Sequence, residues 1–112
     1  MDNPGPKRTA IASRLKLARE RAGLSQGQAA KILGLHRPSV SEIEAGRRGV
    51  PAEELSALAK AYGVSVSWLV EAEEPDVARD RLELAARELG KLKPDDLERL
   101  LQLLTSLRGD RE

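Results

Sequence analysis

The chain has 112 residues, enough for one small domain and an appendage. It holds no cysteine and no phenylalanine, so a disulfide framework and a thiolate metal site are excluded, and a core must come from Leu, Ile, Val and Ala. The net charge is only +1, but residues 1–50 carry ten Lys/Arg against four Asp/Glu, and residues 51–112 nine against fourteen, the asymmetry of a basic reading half joined to an acidic association half.

In chain order, residues 1–9 (MDNPGPKRT) read as a flexible arm, whose Lys7 and Arg8 either touch phosphate or are simply solvated. No apolar run approaches the ~20 residues needed to cross a bilayer, and the arm has no hydrophobic signal region; the expectation is a cytoplasmic protein with no membrane role. A first helix is predicted over Ala10–Ala22, with Ile11, Leu15, Ala18 and Ala22 on one face, stopped by Gly23.

The stretch Ser25–Gly46 is the informative one. Ser25 followed three residues later by Gln28 fits a capping box. Ala29, Ala30, Ile32 and Leu33 supply a helical apolar face, and Gly34 ends that helix in a left-handed turn. Leu35 anchors the turn. A second short helix starts near His36–Arg37 with Pro38 in its first turn, where the missing N–H is harmless. Val40 and Ile43 face inward, and Gly46 closes the helix. Two helices of about two turns joined through a glycine form a helix-turn-helix or an ordinary surface hairpin. The outward positions Arg37, Pro38, Ser39, Ser41 and Glu42 suit base edges and phosphates in a major groove.

Downstream, Pro51 opens a helix with Glu53 and Glu54 in its first turn and Leu55, Leu58, Ala59 and Tyr62 inside. Ser65 caps a fifth helix carrying Val66, Leu69 and Val70, with Trp68 half-exposed. Residues 71–76 (EAEEPD) read as an acidic linker. A helix over Val77–Leu89 places Val77, Leu82, Ala85, Ala86 and Leu89 on one stripe. A last helix from Pro94 carries a broad face of Leu97, Leu100, Leu101, Leu103, Leu104 and Leu107. A small monomer does not leave such a face in water, so it folds back, pairs with a second copy, or binds another protein.

Gly23-Leu24-Ser25-Gln26, Ala30, Gly34-Leu35, Val40, Ile43-Glu44 and Gly46 resemble the phage-repressor and Cro-like, or Xre, family over about Ile11–Val70. The resemblance implies an all-α chain: a five-helix repressor-like domain over 10–70, a linker at 71–76 and two C-terminal helices over 77–108. It also implies a phosphate contact for Gln26 and an ion pair between Arg19 and Glu44 that orients the reading helix. Arg37 is the leading base reader, with a phosphate clamp as its alternative. Glu42 either accepts from cytosine N4 or orients Arg37. Ser39 and Ser41 touch phosphate or base edges, and Pro38, which departs from the glutamine-type residues of some members, offers only apolar contact. His36 is a cap or phosphate contact, and Arg47 and Arg48 are backbone clamps. No catalytic constellation, metal site or cofactor is expected.

The implied function is a transcriptional regulator on a two-fold symmetric double-stranded DNA operator, a homodimeric repressor whose interface uses Leu97, Leu100, Leu101, Leu104 and Leu107. The alternative is an antitoxin or adaptor that binds a toxin or protease through the same helices. A chain ending near Val70 is expected to fold alone as a monomer.

Overall fold

The computed structural model describes residues 5–109, and all of its regular structure is helical. Seven helices follow in order: α1 (Pro6–Arg21), α2 (Gln26–Leu33), α3 (Arg37–Glu44), α4 (Ala52–Tyr62), α5 (Val66–Val70), α6 (Val77–Leu89) and α7 (Pro94–Gly109).

Helix α1 begins at Pro6, four residues before the predicted start. Proline at the first helical position has its φ set for the helix and no N–H to waste. Lys7, Arg8 and Thr9 are therefore helical rather than part of an arm; residues 1–4 of that arm lie outside the described residues. Lys7 Nζ donates to the Val70 carbonyl (2.8 Å) and pairs with Glu73 (3.2 Å).

Helix α2 starts on a complete capping box: the Ser25 hydroxyl accepts from the Gln28 N–H (3.1 Å), and the Gln28 side-chain oxygen accepts from the Ser25 N–H (2.8 Å). It ends at Gly34, whose φ of +68° a β-carbon would strain. There the Leu35 N–H reaches back to the Ala30 carbonyl (2.8 Å), which turns the chain sharply into α3. Helix α2 packs on α3 and α4, and α1 packs on α3, α4 and α5. The core between them is Leu15, Ala18, Ala29, Ala30, Val40, Ile43, Leu55, Leu58, Ala59, Tyr62 and Leu69. With no Phe to fill volume, four alanines bring the helix axes close.

Several expected faces are corrected. Ala22 caps α1 and is exposed, and Ile32 is 47% exposed. At 100° per residue, Ile32 lies roughly a third of a turn from the direction shared by Ala29, Ala30 and Leu33. On α6 the predicted stripe is out of register: Val77 and Leu82 are exposed, while Asp80 (1%) and Leu84 (5%), four residues apart, are buried. Asp80 is inside because the equally unexpected buried Arg14 is its partner, Nε to Oδ1 at 3.1 Å. Arg14 also donates to the Trp68 carbonyl and lies 4.6 Å over the Trp68 ring.

The chain divides into two compact units, one ending at Arg81 and the other starting at Leu82. The first unit thus extends past Val70 and through the expected linker, whose Ala72 is fully buried, into the first turn of α6. In the second unit α7 carries the leucine face, with Leu101, Leu103, Leu104 and Leu107 exposed and Leu97 and Leu100 half-buried. No described helix is long and apolar enough to cross a membrane.

Candidate nucleic-acid interface

Helix α3 is amphipathic at close quarters. Val40 and Ile43 are sunk in the core, which turns Arg37, Pro38, Ser41 and Glu42 outward. Its start is held open to solvent: His36 is the N-cap in extended conformation, its side chain makes no capping hydrogen bond, and Pro38 occupies the first turn. The helix dipole leaves a positive end there. Gln26, at the start of α2, shares with Arg37, Pro38 and Ser41 a recess of 340 Å³. Ser39 is half-buried on the other side of α3, away from that recess.

Behind this face stands a nearly buried network. Arg19 grips Glu44 with two hydrogen bonds, Nε to Oε2 (2.7 Å) and Nη2 to Oε1 (3.1 Å), and its remaining nitrogen Nη1 donates to the Leu24 carbonyl (2.7 Å). Gln26 Nε2 donates to the same Glu44 Oε1 (3.1 Å). One carboxylate at the end of α3 thereby ties together α1, the turn before α2 and the first residue of α2. The Glu44 contact holds the Arg19 guanidinium above its ordinary pKa against the opposing effect of burial. Such a pair adds little net stability, but removing one partner strands a charge.

Nearby, Tyr62 is pushed up from 10.0 to about 12, chiefly by burial and further by the Glu44 carboxylate, with Arg19 opposing. The neutral phenol is thus favoured in the folded chain. Its contribution to stability is full below about pH 10 and disappears as pH rises towards 12, where the unfolded chain ionises first. An alkaline titration is expected to show phenolate absorbance and loss of helical circular dichroism rising together. Phenolate forming near pH 10 with the helices intact would contradict the upward shift.

Apart from Arg37, the charged residues at this end of the molecule are paired in ways their spacing did not suggest. Arg47 makes a bidentate pair with Glu42, Nε to Oε2 (2.8 Å) and Nη2 to Oε1 (3.1 Å). Glu42 therefore orients Arg47, not Arg37. Each lifts or lowers the other in the direction of ionisation: the Arg47 hydrogen bond holds the Glu42 carboxyl below its usual range, and Glu42 raises Arg47. Arg48 is half-buried and forks onto Glu54 of α4 (3.0 and 3.2 Å), an acid read from sequence only as a favourable first-turn charge. Arg37 is exposed and makes no hydrogen bond or ion pair among the described residues. No cluster of three or more metal-ligating side chains occurs among the described residues.

A family model described as a helix-turn-helix domain matches residues 10–71, more than half of the chain. Among solved structures, a hypothetical transcription factor, NHTF, from Neisseria is 28% identical, covering 75% of this chain and 91% of that one, with a TM-score of 0.56. The restriction-modification controller protein C.AhdI from Aeromonas hydrophila is 32% identical over 56% of this chain and 91% of its own (TM-score 0.52). The clp gene regulator ClgR from Corynebacterium glutamicum is 28% identical over 62% and 91% (TM-score 0.55). The chain belongs to the helix-turn-helix family, in its Xre-like, phage-repressor and Cro-like branch.

Proposed function

We propose that this chain is a sequence-specific transcriptional repressor that acts as a homodimer on a two-fold symmetric double-stranded operator, in the cytoplasm, without catalysis or a cofactor. The observation that carries the reading is the start of α3: an exposed, unpartnered Arg37 beside Gln26, on a helix whose inner face is locked in the core. An α3 start presented in this way fits a major groove, with Arg37 gripping guanine O6 and N7 together. Gln26 and the N-terminus of α2 meet a phosphate, as do Arg48 and Arg47, and Ser39, Ser41 and His36 make lesser contacts. Transcription regulators among the similar structures support the same reading.

A second reading is favoured by the exposed leucines of α7: the chain as an antitoxin or adaptor that holds a toxin or protease there and binds DNA only to control its own gene. The two differ in what covers that face.

The test separates reading from gripping. Arg37→Ala is expected to cost about 1–3 kcal/mol on the operator and much less on other DNA. In a selection from random DNA the preference should relax at one base pair in each half-site, and Arg37→Lys, lacking the planar fork, should recover part of it. Wild-type affinity should fall by a log–log slope of about −0.9 per phosphate neutralised. A uniform weakening with an unchanged consensus would make Arg37 a phosphate clamp; salt-independent affinity would end the DNA reading altogether.

A further inference from the structure

Past the end of the reading helix, both arginines of the loop are held by carboxylates of the same chain. Arg47 is forked onto Glu42 and Arg48 onto Glu54. A DNA-reading surface gains its sequence-independent affinity by offering free cations to phosphate; here Arg37 is open, while Arg47 and Arg48 rest on carboxylates of the chain itself until a phosphate displaces them. The two masked arginines differ in kind. Arg48 and Glu54 are partly buried, with side-chain exposures of 35% and 21%, and their pair braces the α3–α4 loop against α4. Arg47 and Glu42 are both open to solvent, at 60% and 44%. An exposed pair of that kind is weakly held, so its arginine can change partners.

The backbone places this pair where the exchange matters. Past the end of α3, Gly46 takes a φ of +78°, and the Arg47 N–H returns to the Glu42 carbonyl at 2.9 Å. That turn hangs Arg47 directly over Glu42, which stands one turn and a residue beyond Arg37 on the outward side of α3. The guanidinium fork fits a carboxylate and a phosphate equally well.

We propose that Glu42 is a specificity-determining residue that acts by holding Arg47 away from the backbone of non-operator DNA. Handing Arg47 to a phosphate leaves the Glu42 carboxylate unpaired in a groove of negative potential. On ordinary DNA nothing offsets that. On an operator with an exocyclic amine opposite Glu42, such as cytosine N4, the carboxylate gains a new donor as Arg47 leaves, and the exchange is favourable. Glu42 thereby lowers affinity for every sequence and lowers it least for the correct one, which widens the ratio between them. The inference rests on the DNA-binding reading above.

The test is a double-mutant cycle of Glu42→Gln and Arg47→Ala, with affinity for mixed-sequence duplex DNA measured across a range of salt and folding checked by circular dichroism. Glu42→Gln keeps the size of the side chain and removes the charge. It is expected to raise affinity for this DNA about twofold to fivefold and to steepen the log–log salt slope by about 0.9, one additional phosphate contact. In the Arg47→Ala background the same substitution should change neither affinity nor slope appreciably. An equal gain with and without Arg47 would overturn the proposal, because it would show only that a negative charge near phosphate had been removed. An unchanged slope on Glu42→Gln would also overturn it. Failure of the underlying reading looks different: wild type would show no salt-dependent binding to any duplex, operator included.

Discussion

Replacing Asp80 by alanine is expected to destabilise the folded chain by about 3–5 kcal/mol, a large share of the ~5–15 kcal/mol that holds a domain of this size together. The reason is the company Arg14 keeps. Its side chain is 10% exposed, that of Asp80 2%, and the two meet at 3.1 Å. Without Asp80 the guanidinium keeps the Trp68 carbonyl and the Trp68 ring but loses the countercharge that made its burial tolerable. Arg14→Met together with Asp80→Leu should regain much of the loss, since replacing a whole buried pair by apolar side chains is often neutral. Urea unfolding followed by the fluorescence of the single Trp, which sits on the pair, measures both. A cost below about 1 kcal/mol for Asp80→Ala would mean that solvent reaches the pair. The same argument corrects the expectation that a chain ending near Val70 folds unaided: that cut removes Asp80, the buried Ala72 and the Glu73 partner of Lys7. A chain kept through the start of α6 should unfold at markedly higher urea than one cut at Val70.

Which parts of this were legible in the sequence follows the range of the interactions. Ser25, Gln28, Gly34, Pro38, Pro51 and Ser65 act on backbone within four residues of themselves, and helices α2 to α5 start within a residue or two of where those signals put them. The inner faces of α3 and α4 were legible too, because Val40, Ile43, Leu55, Leu58 and Tyr62 stand alone as apolar side chains at helical spacing. Arg14 and Asp80 were not, being charged residues 66 positions apart whose burial makes sense only as a pair. The boundary between units went astray for the same reason: an acidic, proline-bearing run looks like a linker until the residues beyond it prove to be anchored. At the reading face, the partners of Glu42 and Arg48 escaped because they lie five and six residues away. Those separations are outside the i+3 and i+4 rule for a continuous helix and are brought together only by the turns that follow α3. Glu44, by contrast, has its place through the family resemblance, and the carboxylate does meet Arg19.

Leu104→Arg is expected to separate the proposed dimer and to lower affinity for a two-half-site operator by a factor of about 10²–10⁴. Leu104 is 47% exposed and is flanked on the same helix by Leu101, Leu103 and Leu107, each about half exposed. Four large apolar side chains in water on one 16-residue helix are a surface awaiting cover. The substitution takes apolar area from that surface, plants a charge in its middle and leaves helix propensity almost unchanged. Because nothing in the core depends on Leu104, the urea midpoint of the DNA-binding unit should stay put. Loss of affinity would then come from loss of tethering: a monomer still finds a half-site, but the second half-site is no longer delivered at high local concentration. A single half-site should therefore bind wild type and variant alike. Sedimentation of wild type at micromolar concentration gives the state being broken. A wild-type dimer that Leu104→Arg leaves intact would move the interface off α7. A wild-type chain that sediments as a monomer, or as a heterogeneous mixture, would favour the reading in which α7 waits for a different protein. In that case the exposed leucines, and not α3, would mark the chain's main business.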